Sequence, residues 1–179
     1  GKLTLPCAGY AAKEYAWASV LMAPLLEGNN ADDERTLWMH PDDANTGWIK
    51  AIYPAYTVQA NDHFRAIIGC LNRSKTCNVT ISLDYKVGGT VTNLGTWNEV
   101  NDGSFRNVDI NLSALAGQAV QIIMTVSSNA KTGEADAFCG EPVDRGGPGT
   151  GVCPAQIVGL GEVDARGTVW GLLRRGARG

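Results

Sequence analysis

An all-β fold, an antiparallel sandwich, is the class this sequence predicts, and three observations predict it. The first is alternation. In "CNVTISLDYKV", Val79, Ile81, Leu83 and Tyr85 fall on one side and Thr80, Ser82, Asp84 and Lys86 on the other, as in a strand with one face in a core and one in water. The second is punctuation: short apolar runs are separated by turn residues at "PDDANTG", Asn61-Asp62, Gly88-Gly89 and "NDGS". The third is an absence in the pattern. No long amphipathic helix alternates with the strand candidates, which argues against a parallel α/β sheet, and no internal repeat suggests a solenoid or propeller.

Taken in order, residues 11–22 suit either a short helix by propensity or an early strand. Tyr15, Trp17, Ser19 and Leu21 alternate with Ala16, Ala18, Val20 and Met22, and we favour the strand. "EGNNADDE" is a polar turn. "RTLWMH", "WIKAIYP", "AYTVQ" and "HFRAIIGCL" are strand candidates, followed by the alternating run above. Gly88-Gly89 is a hairpin turn, and "TVTNLGTWNEV" is the returning strand. Residues 107–111 and 119–127 are two more strands, joined by a single helical turn at Ser113–Ala116 that Gly117 closes. The expected core comprises Leu37, Ile52, Phe64, Ile67, Val79, Ile81, Leu83, Val108, Ile110, Leu115, Ile122, Met124 and Val126.

Composition changes after Cys139. "GEPVDRGGPGTG" reads as a linker, "QIVGLGEVDARGTVWGLL" has the β-branched content of one or two strands, and "RRGARG" is a basic end. The expected organisation is a sandwich over residues 1–140 and a linker with a strand-like extension over 141–179. Residues 155–173, with Val163 and Trp170 as anchors, are expected to pair with a sheet edge, in this chain or in a neighbouring copy.

The 179 residues, 44% hydrophobic and 18% charged, suffice for a real core. A net charge of −3 without a basic block before the last residues argues against a nucleic-acid partner. No run is long and apolar enough for membrane insertion. The apolar "YAWASVLMAPLLEG" is broken by Pro24 and lacks the marks of a signal peptide. A chain starting at Gly1 reads as a mature or trimmed form.

Five cysteines and two histidines, with no C-x-x-C pair, support neither a zinc site nor redox catalysis. Disulfides in an oxidising compartment are the simpler reading, hence a secreted, extracellular or cell-surface protein. Cys70 and Cys77, seven positions apart, are expected to staple the ends of two consecutive strands across a hairpin loop, Leu71–Thr76. Cys139 and Cys153 are a second, weaker pair. Cys7 is then left over, or joins either of them. Asn72, Asn78 and Asn111 begin N-x-Ser/Thr triplets and are glycosylation candidates.

The segments "DDERTLWMHP", "GWIKAIYPAYTVQANDHFRAIIGCL", "CNVTISLDYKVGG", "LGTWNEVNDG" and "VDINLSALAGQAVQIIMTV" resemble, in that order, a jelly-roll domain of bacterial secreted and surface proteins. Those domains are in turn similar to carbohydrate-binding modules in strand pattern. The resemblance covers about residues 3–138 and implies a jelly-roll sandwich. It also implies an earlier Trp-containing strand and an aromatic closing strand. This chain starts after the first and reads "ADAFCGEPV" in place of the second.

Chemical motifs are few. No G-x-S-x-G marks a serine hydrolase, and "GGPGTG" lacks the lysine of a phosphate loop. Glu34, Asp84, Glu99 and Asp102 show no spacing that selects a glycosidase pair. Asp32, Asp33, Asp42 and Asp43 lie in oxygen-rich loops that suit a structural calcium, without EF-hand spacing, and no metal or cofactor is assigned. Aromatic rings can stack on the CH face of a pyranose. Trp97, beside Asn98, Glu99 and Asn101, is the first choice for a sugar platform, with Trp48 and Tyr56 further candidates. The expected function is a non-catalytic extracellular binding module for carbohydrate or a cell-surface polymer. The alternative is a structural subunit that self-assembles into an oligomer or filament by strand donation. An enzyme has no motif behind it.

Overall fold

The computed structural model describes residues 2–5, 16–33, 36–42, 47–131, 135, 137–140 and 156–160. Their strands are β1 (Lys2–Leu5), β2 (Trp17–Leu21), β3 (Leu25–Leu26), β4 (Asn30–Ala31), β5 (Thr36–His40), β6 (Trp48–Ile52), β7 (Tyr56–Thr57), β8 (His63–Cys70), β9 (Asn78–Val87), β10 (Thr90–Val100), β11 (Arg106–Asn111), β12 (Ala119–Ser128), β13 (Ala137–Gly140) and β14 (Gln156–Leu160). Two short 3-10 turns, Glu27–Asn29 and Ser113–Leu115, are the only helical pieces among the described residues. The early segment is a strand over Trp17–Leu21, and residues 11–15 lie outside the described residues.

The strands form two main antiparallel sheets. The first runs β1-β14-β6-β12-β9-β10, with β7 against the start of β12. The second runs β11-β8-β13-β5-β2. From β5 to β13 the chain changes sheet at nearly every step; the β9–β10 hairpin is the main exception. This leaves β6-β12-β9-β10 facing β5-β13-β8-β11, the eight-strand order of a jelly roll. The resemblance read from the sequence is therefore met in the topology. The strand at "ADAFCGEPV" is β13, in the middle of the second sheet between β5 and β8.

Two additions widen this frame. β2 continues the second sheet beyond β5, and β14 continues the first beyond β6. β14 pairs with β6 on one side and β1 on the other. The pairing expected somewhere in residues 155–173 is thus made by 156–160, within the same chain. Val163 and Trp170 lie outside the described residues.

The core between the sheets follows the alternation. Val79, Ile81 and Leu83 of β9 meet Ile122, Met124 and Val126 of β12, Ile49 and Ala51 of β6, and Leu37, Met39, Phe64 and Ile68 opposite. Ile110 packs partly buried against them. Two expected core residues are corrected. On β6 it is Ile49 and Ala51, both 0% exposed, that turn inward, so Ile52 faces out with Trp48 and Lys50. On β8, Phe64, Ala66 and Ile68 point in, and Ile67 joins a separate cluster. A strand with apolar residues on both faces does not say which face is inside.

Cys70 and Cys77 are bonded, with Cα atoms 6.2 Å apart. Their setting differs from the expected hairpin. β8 lies in the second sheet and β9 in the first, so the bridge joins sheet to sheet where the chain crosses over. The expected Cys139–Cys153 bridge falls on Cys153, outside the described residues. Cys139 of β13 is a thiol, 1% exposed within the core, and burial pushes its pKa up to about 12. Cys7 also lies outside the described residues.

Candidate binding face

The outward side of the first sheet carries the most regular set of polar side chains among the described residues. Register fixes it in rows. Trp48 of β6 stands opposite Ser127 of β12, Ser127 opposite Thr80 of β9, and Thr80 opposite Asn98 of β10. The next row is Lys50, Thr125, Ser82 and Thr96, and the third Ile52, Ile123, Asp84 and Asn93. Gln121, Lys86 and Val91 follow. Neighbouring strands lie about 4.8 Å apart, so each row is an even ladder of side chains. Ile123 and Thr125, on the central strand, are each 8% exposed, whereas Trp48, Lys50, Thr80, Ser82 and Asp84 are half-buried. The Thr125 hydroxyl is buried without a hydrogen-bond partner.

Hydrogen bonds organise one corner of this face. The Thr80 hydroxyl lies 2.9 Å from both the Asn98 and the Asn129 side-chain oxygens. The Asn129 amide donates to the Asn78 side-chain oxygen at 3.0 Å. Further along β10 the register slips between Asn93 and Gly95. The Asn93 amide fills that bulge, donating to the Leu83 carbonyl and, at 2.7 Å, to Asp84. On β6 the Lys50 ammonium sits 5.5 Å from the centre of the Trp48 ring.

The six residues read from sequence as a sugar platform divide between different surroundings. Trp48 and Asn98 share the outward row. Trp97, one residue from Asn98, turns to the other side of β10. Its ring packs on the core and lies 2.6 Å from where a Cβ would stand on Gly95, a close approach that only glycine permits. Tyr56 also packs against the core. Glu99 is 5% exposed and accepts a 2.7 Å bond from the Arg106 guanidinium. The Asn101 amide donates to the Leu71 carbonyl at 2.9 Å. Sequence reasoning did not place Thr80, Ser127 and Asn129 with this group. Alternation along β9 put Thr80 on the outward face, but only the pairing of β12 between β6 and β9 brings the others beside it.

Other candidates have structural surroundings. Glu27, 0% exposed, accepts backbone N–H bonds from Cys70 at 2.8 Å, Asp102 at 3.0 Å and Gly103 at 3.2 Å. Burial raises its pKa above the ordinary 4.5, against the lowering effect of those three donors. The Asp102 carboxylate caps its own loop through the Ser104 N–H. Among the described residues no three His, Cys, Asp or Glu side chains converge on a metal position. Asp32 and Asp33 follow β4, Asp42 follows β5, and Asp43 and Glu34 lie outside the described residues. Of the glycosylation candidates, Asn111 is exposed and accepts the Ser113 N–H, Asn72 accepts from Lys75, and Asn78 belongs to the outward network. No helix among the described residues is long and apolar enough to cross a membrane.

No family model matches the chain, and no curated protein matches it. It is similar to carbohydrate-binding modules of solved structure. One is TmCBM61 in complex with β-1,4-galactotriose, at 10% identity and TM-score 0.47 over 68% of this chain and 76% of that one. A second is CBM51 from Clostridium perfringens GH95 in complex with methyl-galactose, at 10% identity and TM-score 0.47 over 79% of this chain and 98% of that one. A third contains the M60 catalytic domain with CBM51-1 and CBM51-2 from Clostridium perfringens ZmpB, at 15% identity and TM-score 0.40 over 68% and 12%. The jelly-roll order rests on the strand pairs given above, independently of these likenesses.

Proposed function

We propose that this chain is a non-catalytic carbohydrate-binding module that works in an extracellular setting. The observation behind the proposal is the outward face of the first sheet, where one row joins an indole, two hydroxyls and an amide, and the next places three hydroxyls beside Lys50. A sugar presents many hydroxyls, each both donor and acceptor, and an apolar CH face. Serine, threonine and asparagine match the first and tryptophan the second. The Cys70–Cys77 bridge supports an oxidising compartment. Among the described residues, four carboxylates have structural partners: Glu27 on backbone N–H groups, Glu99 on Arg106, Asp84 on Asn93 and Asp102 on Ser104. β14 completes a sheet within its own chain, which removes the motive for proposing strand donation between copies.

The test is affinity electrophoresis of the chain through gels containing galactan, xylan, mannan, β-glucan or host-type glycoproteins. Retardation by at least one, without release of reducing sugar, is the expected result. Passage through all of them unretarded overturns the proposal.

A further inference from the structure

Resting on that carbohydrate reading, the geometry points to an uncharged oligosaccharide that lies across the strands, along the row Trp48–Ser127–Thr80–Asn98. The direction follows from where the charges stand. None of the four side chains of this row is charged, and the nearest charge is the Lys50 ammonium over the Trp48 ring, whereas the rows beyond it contain Lys50 itself, then Asp84, then Lys86. A chain laid along the strands would pass these charges and the apolar Ile123. A chain laid across them meets only an indole, two hydroxyls and an amide.

The length of the row sets the size of the ligand. Three inter-strand spacings separate Trp48 from Asn98, about 14 Å. One sugar ring does not reach from the indole to the amide, so the row suits several linked rings.

Hydrogen-bond arithmetic gives the polarity. Thr80 has a single hydroxyl proton but stands 2.9 Å from two amide oxygens. Both contacts are satisfied when Asn98 turns its nitrogen to Thr80, since amide orientation is assigned from the network. The chain then runs Asn98 to Thr80 to Asn129 to Asn78, each donating to the next. At its ends it leaves the Asn98 oxygen as an acceptor and the Asn78 nitrogen as a donor. Each is left for a sugar hydroxyl to answer. At the other end, the ammonium of Lys50 lies over the Trp48 ring, so a ring that stacks on this indole displaces the ammonium. A sugar CH face would take that place.

The experiment is calorimetric titration of the chain with oligosaccharides of one to six rings, neutral (β-1,4-galactan, xylan and glucan series) and anionic (oligogalacturonate). Affinity should rise from the single ring to the longer neutral chains. Trp48→Ala and Asn98→Ala should each weaken binding about tenfold or more, Trp48→Phe less, and Lys86→Ala not at all. Asn98 is exposed, so its variant reports on binding even if Trp48→Ala disturbs the fold. If the chain binds glycans but both alanine variants bind equally well, this row is the wrong site while the module reading stands. Preference for the anionic series overturns the uncharged ligand. If the wild type binds no probe, both proposals fall. Self-association that Trp48→Ala abolishes would assign the face to a second copy instead, and would overturn this one.

Discussion

The two sheets have opposite outer faces. That of the first is polar, laid out in rows and partly open, buried at Ile123 and Thr125 and exposed along β10. That of the second is a small second core: Trp17, Trp38 and Phe138 are buried beneath Leu26 and Leu71, with Leu21, Ile67 and Phe105 around them. The Trp17 and Trp38 rings meet edge to face, with centroids 4.1 Å apart, and the Arg73 guanidinium covers Trp38 at 4.1 Å. Phe138 stands in register with Trp38 on one side and Gly69 on the other. Gly69 is part of the construction, because a Cβ there would meet the Glu27 carboxylate at 2.6 Å and the Phe138 ring at 3.1 Å. An aromatic residue on a strand of this chain is therefore most often a packing element. Trp48 differs from Trp17, Trp38 and Trp97 in the face it occupies, and neither its residue type nor its neighbours in sequence reveal that.

The largest expected difference is between Trp38 and Trp48. Trp38→Ala empties the centre of the second cluster and should cost about 3–5 kcal/mol in urea unfolding. Trp48→Ala removes a half-buried ring from an open face, and its cost should be about 1 kcal/mol or less. Equal costs would mean that the first face is as much a core as the second, and would weaken its claim to a ligand.

Glu27 comes next. It ties the start of the loop after β10 to the end of β8 and so holds the roof of the second cluster. Glu27→Ala leaves three backbone donors without their acceptor and should cost about 3 kcal/mol, with Glu27→Gln losing less. Its pH dependence has a definite sign. Burial raises the folded-state pKa above 4.5, so the folded protein holds that proton more tightly than the unfolded one. The stability from this protonation is fully present below pH 4.5 and is lost as pH rises through the folded value. Unfolding of wild type and Glu27→Gln between pH 4 and 7 should show a gap that changes in this direction. A gap that widens in favour of the wild type toward pH 7 would contradict it.

The strands themselves were legible in sequence, because period-two alternation and turn residues are local signals. β9, β11, β12 and the Gly88-Gly89 hairpin fall where these signals put them. Most of the core was legible for the same reason. What stayed hidden depends on pairing between distant segments. β6 has Ile on both faces, and only its register with β12 shows that Ile49 goes in and Ile52 out. Trp97 looked like a platform because amides flank it in sequence. In a strand those flanking residues point the other way, which is why Asn98 is on the open face and Trp97 is not. Glu27 gave no signal at all: a carboxylate in a polar turn reads as solvated until three distant N–H groups are seen to meet it.

The Cys70–Cys77 bridge lies beside the Glu27 latch, since the Cys70 N–H is one of its donors. Closing so short a loop should contribute about 2.5 kcal/mol by the chain-entropy estimate. Cys70→Ser with Cys77→Ser should lower stability by about that amount. Because the bridge joins the two sheets at the roofed end, its loss should also loosen Glu27. Combined with Glu27→Ala, the total should fall short of the sum of the two separate losses. A simple sum would show that roof and staple act independently.

The smallest effect belongs to the part of the second face that the roof does not reach. On β8 and β11, Asp109 accepts from His63 and, at 3.0 Å, from the Arg65 guanidinium, all three residues being exposed. The hydrogen bond from His63, and then the Arg65 guanidinium, hold the Asp109 carboxyl below its ordinary 3.8. The sign is opposite to that of Glu27. This stability is present above pH 3.8 and is lost as pH falls through the lower folded value. Water and salt screen such a group, so Asp109→Asn should leave the neutral-pH melting temperature close to that of the wild type. Carbon-detected NMR titration should place the Asp109 midpoint below 3.8 in the wild type and return it toward 3.8 in a variant lacking both His63 and Arg65. If Asp109→Asn instead destabilises the fold as much as Glu27→Ala does, then position on the second sheet, rather than enclosure beneath the roof, decides what its polar groups contribute.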